Sequence, residues 1–193
     1  MRAAGVITVP TRTGAVTTVP ALLAAFAVLA WAAGAALAAP DGVDWTVADT
    51  AAACGGCHLS SPPAQASPAI SIDGLPERLV AGREYLLTIA LEDSALVNAG
   101  FLLTIRSDGA AGELTAVDER VETAGHQARS TWHGSFPPDP GRASWSLRWR
   151  APAAPTAAIR FDVWANAGND DLSPLGDRLH HRVLSPKIDP SSP

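Results

Sequence analysis

The sequence is poor in cysteine, in basic residues and in helical patterns, and each shortage excludes a class of protein. Two cysteines in 193 residues cannot form the disulfide framework that stabilises many small secreted domains. Acidic residues outnumber basic ones by 19 to 14, so the chain lacks the positive surface that nucleic acids and anionic membranes attract. Internal repeats, coiled-coil heptads and helix-length periodicity are also absent, which leaves strands as the main element.

The N-terminus has the organisation of an export signal. Arg2 and Arg12 form a basic leader, residues 21–33 are uncharged and apolar, and residues 36–38 form a small-x-small cleavage site. A retained membrane anchor is the alternative, because residues 21–39 approach the roughly 20 residues that a span needs. Alanine is only weakly apolar, so cleavage is favoured. In both cases the remaining chain is expected to be periplasmic or extracellular, and after cleavage it has no predicted membrane span.

Both cysteines lie in one short motif, Cys54-Gly55-Gly56-Cys57-His58. C-x-x-C-H is the spacing of c-type haem attachment, in which two thiols bond the vinyl groups and the histidine ligates the iron. In an exported chain it predicts one covalent haem c on Cys54 and Cys57, with His58 as the proximal ligand. Zinc, a dithiol–disulfide redox site and chance occurrence are the alternatives. The chain lacks a second C-x-x-C for zinc and the α/β context usual for redox sites.

The second axial ligand of such a haem cannot be methionine after cleavage, because Met1 is the only methionine. A histidine, a water molecule or an open position remains. We favour His133, which follows Trp132, a ring able to stack on a porphyrin. The other candidates are His126, in a polar turn and expected to be exposed, and the pair His180 and His181. That pair is adjacent on a predicted strand, so only one of the two can face the haem.

The chain divides into four parts of different composition. Residues 1–38 are the predicted signal peptide. Residues 39–67 carry the haem-attachment motif and a linker rich in proline and serine, and they are too short for a helical cytochrome c domain. Residues 68–185 form the predicted domain, and residues 186–193 a predicted disordered tail. Twelve basic and nineteen acidic residues follow the leader, which gives the mature chain a net charge of −7.

Alternation of apolar and polar residues predicts an all-β domain. In residues 145–150 two tryptophans and a leucine face one way and two arginines the other. Strands are predicted at residues 69–72, 85–91, 101–106, 113–117, 127–132, 145–150, 159–163 and 178–184. About eight short strands separated by glycine- and proline-containing turns predict an antiparallel two-sheet sandwich.

The order of short motifs in this domain resembles bacterial Reelin-like (Reeler) domains. These motifs are Gly74-Leu75-Pro76, Ala81-Gly82-Arg83-Glu84-Tyr85, Ala99-Gly100-Phe101, His133, Trp145 to Trp149 with Arg150-Ala151-Pro152, Ala165-Asn166-Ala167-Gly168-Asn169, and Gly176-Asp177. In many such secreted proteins a C-x-x-C-H segment precedes the domain, and a histidine often lies where this chain has His133. The resemblance covers roughly residues 53–184. It implies an immunoglobulin-like sandwich and an exported or surface location, but no settled biochemical activity.

One loop departs from the pattern of that family, and it is acidic. Many relatives have a longer Asn/Gly-rich loop where this chain continues from Asn169 into Asp170 and Asp171. With Asp177 these residues could hold calcium, but EF-hand spacing is missing and a solvated loop is favoured.

The remaining tryptophans and serines add little to the choice of function. Trp45 is expected either to cover the haem or to plug the end of the sandwich. Trp145, Trp149 and Trp164 are assigned to the core. No serine has a recognisable nucleophile setting, so a Ser/His/Asp triad is not predicted.

Together these features predict an exported monohaem c-type cytochrome. It would carry electrons through a haem with two histidine ligands, His58 and His133, and would meet redox partner proteins in the envelope. It is not expected to be an enzyme, because an Arg/His pair for peroxidase chemistry is not evident. The alternative is a binding or adhesion module of the cell envelope in which the haem is structural or sensory.

Overall fold

The computed structural model describes Trp45, Cys54, His58 and residues 66–154, 158–171, 173 and 175–189. The predicted signal peptide, Cys57 and the rest of residues 39–65 lie outside the described residues. Among the described residues, no helix has the length and apolar character needed to cross a bilayer.

The described residues form eleven strands and one 3-10 turn. The strands are β1 (Ile70–Asp73), β2 (Arg78–Leu79), β3 (Glu84–Glu92), β4 (Asn98–Arg106), β5 (Glu113–Ala116), β6 (Val121–Ala124), β7 (Gln127–Ser130), β8 (Arg142–Arg150), β9 (Arg160–Gly168), β10 (Arg178–Leu184) and β11 (Lys187–Ile188). The 3-10 turn, His133–Ser135, lies between β7 and β8.

Two antiparallel sheets pack face to face. One has the order β1-β3-β8-β5 and the other the order β10-β9-β4-β7-β6. This confirms the predicted all-β, two-sheet sandwich, and a strand forms at each of the eight predicted places. A further short pair, β2 with β11, is parallel. The prediction of a disordered tail over 186–193 is therefore wrong at Lys187–Ile188, where backbone pairing with β2 orders the chain.

The core lies between the two sheets and follows the predicted alternation. On β8 the tryptophans Trp145 and Trp149 are buried while Arg148 and Arg150 are exposed. Trp149 meets Phe161 of β9 edge-on, with ring centroids 4.9 Å apart. Fully burying one large apolar side chain contributes roughly 1.5–3 kcal/mol, so these rings are major contributors to the stability of the sandwich.

The five-stranded sheet is also covered on the face that points away from the core, which we call the outer face. Residues paired across the five strands share this face: His181, Trp164, Leu102, Arg129 and Glu122. Leu102 and Trp164 are only 3% and 9% exposed, although a solvent-facing sheet surface would leave them open. Trp164 is buried as predicted, but it belongs to a second cluster with Leu102, separate from the main core.

Candidate functional site

Cys54 of the C-x-x-C-H motif packs on the outer face of the sheet. Cys54 has helical backbone, and the His58 amide donates a hydrogen bond of 3.0 Å to the Cys54 carbonyl. Residues four apart on a helical turn lie on the same side, so the Cys54 and His58 side chains project from the same side of the turn. Cys54 packs against Leu102 and Trp164 and contributes to the burial of these two side chains. Cys57 is outside the described residues.

The His58 ring is held by a carboxylate from the far end of the chain. Nδ1 of His58 lies 2.5 Å from Oδ2 of Asp177. Asp177 is 6% exposed and comes directly before β10, after Gly176, whose φ of +88° lets the chain turn there. Its oxygens also accept hydrogen bonds from Asn166 Nδ2 at 3.1 Å and from the Asn169 amide at 3.4 Å. Four polar groups thus meet beside the motif.

These residues fit a c-type haem in three respects. Asp177 engages Nδ1 of His58, so Nε2 is the nitrogen left for a metal. A carboxylate is one of the common partners for the other ring nitrogen of a metal-bound histidine. Cys54 and His58 share one side of the same turn. The packing of Cys54 against Leu102 and Trp164 would hold one of the two attaching thiols against the sheet. Cys54 and Cys57 would hold the haem, and His58 would ligate its iron.

The histidines proposed as second ligands lie at different ends of the five-stranded sheet. His126 is exposed in the β6–β7 turn, as predicted, and its carbonyl accepts a hydrogen bond from Ile105. His133 is also exposed and begins the 3-10 turn that follows β7. Ser130, the last residue of β7, accepts a hydrogen bond from the Phe101 amide. Phe101 lies at the end of β4 opposite to Ile105. Asn166, beside His58, pairs with Gly100 at that same end.

His180 and His181 lie on opposite faces of β10, and each is already engaged. His181 stacks on Trp164 with ring centroids 4.1 Å apart and bonds Asp162 through Nε2. His180 contacts Ser67 through Nδ1 at 2.8 Å and Asp93 through Nε2 at 3.1 Å. Both nitrogens of His180 are therefore occupied, which removes it as an iron ligand unless these bonds break.

Ser67, His180 and Asp93 form a Ser–His–Asp chain that the sequence did not reveal. Ser67 is 2% exposed and His180 9%, so the hydroxyl is closed to a substrate. Asp93 also pairs with Arg178 at 3.0 Å. Burial alone would raise the pKa of the Asp93 carboxyl, but hydrogen bonds from the Ala95 amide and His180 and the charge of Arg178 hold it below its usual value. This network fastens the start of the domain to β10.

The acidic loop separates its carboxylates rather than gathering them. Asp171 pairs with Asn169, and Asp170 accepts a bond from Asn98 at the surface, whereas Asp177 points inward to His58. Among the described residues, no three His, Cys, Asp or Glu side chains are grouped so that they could hold a metal ion. The calcium alternative gains no support there, and the zinc alternative involves Cys57, which lies outside the described residues.

Trp45 lies over the outer face, the same face as the motif. Its ring centroid is 4.3 Å from the Arg129 guanidinium, a cation–π distance. Glu122 holds Arg129 from the side at 2.6 Å. The contact puts Trp45 on the outer face, and a role for it in covering a haem stays a prediction.

Asp177 is the site residue that sequence reasoning did not assign to the haem, because it lies 119 residues from His58. The sequence held one usable signal for the outer face. Alternation in β9 places Phe161 and Val163 inward, so Trp164 must face the other way.

Comparison with known proteins gives no family assignment. No family model matches the chain, and no curated protein matches it. Among solved structures it is similar to the Reelin-N domain of F-spondin, at 14% identity and a TM-score of 0.46, over 68% of this chain and 94% of that one. The human F-spondin reeler domain gives 14% identity and a TM-score of 0.46 over 68% and 96%. The sulfur carrier protein SoxY from Chlorobium limicola gives 18% identity and 0.39 over 72% and 94%. The Reelin-like assignment stays a prediction.

Proposed function

We propose that the protein is an exported monohaem c-type cytochrome that carries electrons and has a Reelin-like sandwich as its scaffold. The observation that carries the proposal is the placement of the motif. Cys54 and His58 lie on one turn, and Cys54 packs against an apolar patch of the sheet. Asp177 accepts a hydrogen bond from Nδ1 of His58. A haem supplies one-electron chemistry when bound. Cys54 and Cys57 would attach it, and His58, held by Asp177, would ligate its iron.

His133 is our proposed second axial ligand. It follows the end of β7 that lies beside Gly100 of β4. Gly100 also pairs with Asn166 of β9, which bonds Asp177 beside His58, so His133 and His58 lie at the same end of the sheet. Two strand spacings, about 10 Å, separate β7 from β9. His126 lies at the other end of β4, about 13 Å further along the strand. A second histidine ligand would give a lower reduction potential than a methionine ligand.

The test uses protein exported together with haem-attachment machinery and compares three chains. A pyridine haemochrome assay should report one covalent haem, and the optical spectrum should be low-spin. His133→Ala should lose the low-spin spectrum while it keeps the haem, and the matched control His126→Ala should keep both. A low-spin spectrum unchanged in His133→Ala would exclude His133 as the ligand. Absence of covalent haem from the wild type would exclude the cytochrome altogether.

An exposed aromatic pair favours a second candidate function, a binding module with a structural or sensory haem. Trp132 and Phe136 are each 48% exposed, and their rings meet edge-on at 4.7 Å. Exposed aromatic side chains are enriched where proteins bind one another. Carbon monoxide distinguishes the two candidates. Rapid binding to the reduced protein indicates an open iron position and favours the sensory module, whereas no rapid binding favours the electron carrier.

A further inference from the structure

Asp177 differs from the other acidic residues of its loop because it is buried. It is 6% exposed, whereas Asp170 and Asp171 are exposed. Burying a carboxylate is costly unless hydrogen bonds compensate its charge. Three groups do so here: the His58 ring, the Asn166 amide and the Asn169 backbone. Two of these belong to the sheet and its loop, and the third is supplied by the haem-attachment motif.

We infer that Asp177 is a positioning residue for the haem iron, one that fixes the orientation of His58 and strengthens it as an electron donor. The inference rests on the proposed haem function. The shortest contact of the site, 2.5 Å between His58 Nδ1 and Asp177 Oδ2, carries it. A carboxylate that accepts a hydrogen bond from Nδ1–H fixes the tautomer and the rotation of the ring, so that Nε2 faces the metal. The same bond makes the imidazole a stronger electron donor to the metal.

The carboxylate is itself held rigidly, as a positioning group requires. Oδ2, the oxygen that contacts His58, also accepts from Asn166 Nδ2 at 3.1 Å. Asn166 is fixed in the sheet, where it pairs with Gly100 on one side and with Leu179 on the other. The second oxygen accepts from the Asn169 amide. The direction in which His58 points is therefore set by the five-stranded sheet rather than by the short motif alone.

The consequence for the iron is a shift toward the oxidised form. A more basic imidazole stabilises ferric iron more than ferrous iron, because the ferric ion carries the higher charge. Loss of the negative charge from Asp177 should therefore favour the ferrous form. The rest of the acidic loop should not matter, because Asp170 and Asp171 are exposed and their carboxylates bond Asn98, Asn169 and the Ser173 amide rather than His58.

The experiment is a spectroelectrochemical titration of the haem-loaded full chain. Asp177→Asn keeps the size of the side chain and removes its charge, and Asp171→Asn is the matched control on the same loop. We expect full haem content in both. The ferric–ferrous equilibrium of Asp177→Asn should move at least tenfold toward ferrous, which for a one-electron couple is about 59 mV. Asp171→Asn should match the wild type. Asp177→Glu, which keeps the charge, should return part of the shift.

A second measurement separates positioning from general stability. In NMR spectra of the reduced, diamagnetic protein, the His58 Nδ1 proton should exchange slowly with solvent, and it should exchange much faster in Asp177→Asn. If Asp177→Asn carries full haem and leaves both the ferric–ferrous equilibrium and the exchange rate of the His58 Nδ1 proton unchanged, the role of Asp177 is overturned while the cytochrome assignment stands. A wild type without covalent haem would instead overturn the assignment. If Asp177→Asn does not fold, Asn166→Ala decides, because it removes the donor that holds Asp177 Oδ2. An unchanged equilibrium together with an unchanged exchange rate of the His58 Nδ1 proton in that variant contradicts the inference.

Discussion

At the scale of single residues, the buried indole nitrogens of the core fasten the loops to the sheets. Trp145 Nε1 donates to the Gly134 carbonyl at 2.8 Å, and Trp149 Nε1 donates to the Ala111 carbonyl at 3.0 Å. An unsatisfied buried donor costs about 1–3 kcal/mol, so each bond fixes a particular loop position. One of these bonds holds the 3-10 turn that carries His133.

Gly134 in that turn should not tolerate a side chain. A Cβ at this position would lie 2.1 Å from the Arg120 carbonyl oxygen and 3.2 Å from Trp145 Nε1. We expect Gly134→Ala to lower the free energy of unfolding by about 2–3 kcal/mol, the upper part of the range for overpacked sites, as measured by urea denaturation. Gly125→Ala is the control. Its site is open and only its positive φ is strained, at a cost of about 1 kcal/mol. An equal or larger loss in Gly125→Ala would contradict this account of Gly134.

The Asp93 network should make stability depend on acid pH. Because the folded-state pKa of Asp93 is lowered, its charged form stabilises the fold above the ordinary carboxyl pKa of about 3.9. That contribution is lost as the pH falls from about 4 through the folded-state pKa. Asp93→Asn should therefore be less stable than wild type at pH 6, by about 1–3 kcal/mol. The difference should shrink at pH 3 in urea unfolding.

A matched surface variant provides the comparison for Asp93. Glu84 forms ion pairs with Arg148 and Arg150, and its side chain is 46% exposed. Exposed pairs of this kind contribute roughly 0–1 kcal/mol, so Glu84→Gln should differ little from wild type at either pH. A difference for Asp93→Asn that stays constant between pH 6 and pH 3 would show that the charge of Asp93 is not what matters.

At the scale of elements, the outer face of the five-stranded sheet holds the turn that carries Cys54 and His58. Trp164 is the largest side chain of that contact. Trp164→Ala should release the turn, and limited proteolysis should then cut the chain faster between Trp45 and His58. Leu86→Ala is the control, since Leu86 is 56% exposed on the other sheet and such changes stay within about 0.5 kcal/mol. Equal cleavage of the two variants would mean that Trp164 does not hold the turn.

Strand prediction succeeded where one face of a strand is buried and failed where pairing alone makes the strand. The clear alternation in β3, β8 and β9 follows from a core on one side. β2 and β11 have two residues each, too few to show a period. In β6 only Val121 is buried, so the sequence there resembles a polar loop. These strands exist because a neighbouring backbone pairs with them.

At the scale of the whole molecule, the site joins segments that are far apart in sequence. The C-x-x-C-H motif can be recognised in the sequence alone, because its spacing spans only five residues. The partner of His58 was not, since Asp177 reaches it only after the β9–β10 hairpin closes beside the motif. The outward direction of Trp164 could have been predicted from the alternation in β9, because Phe161 and Val163 point into the core.

The most direct test of the account is the intact mass of the exported protein under denaturing conditions. It should equal the chain without its leader plus one haem, and Cys54→Ser with Cys57→Ser should lack the haem mass, because only thioether bonds survive denaturation. A wild-type mass without haem, obtained in cells that attach haem to a known c-type cytochrome, would contradict the central claim.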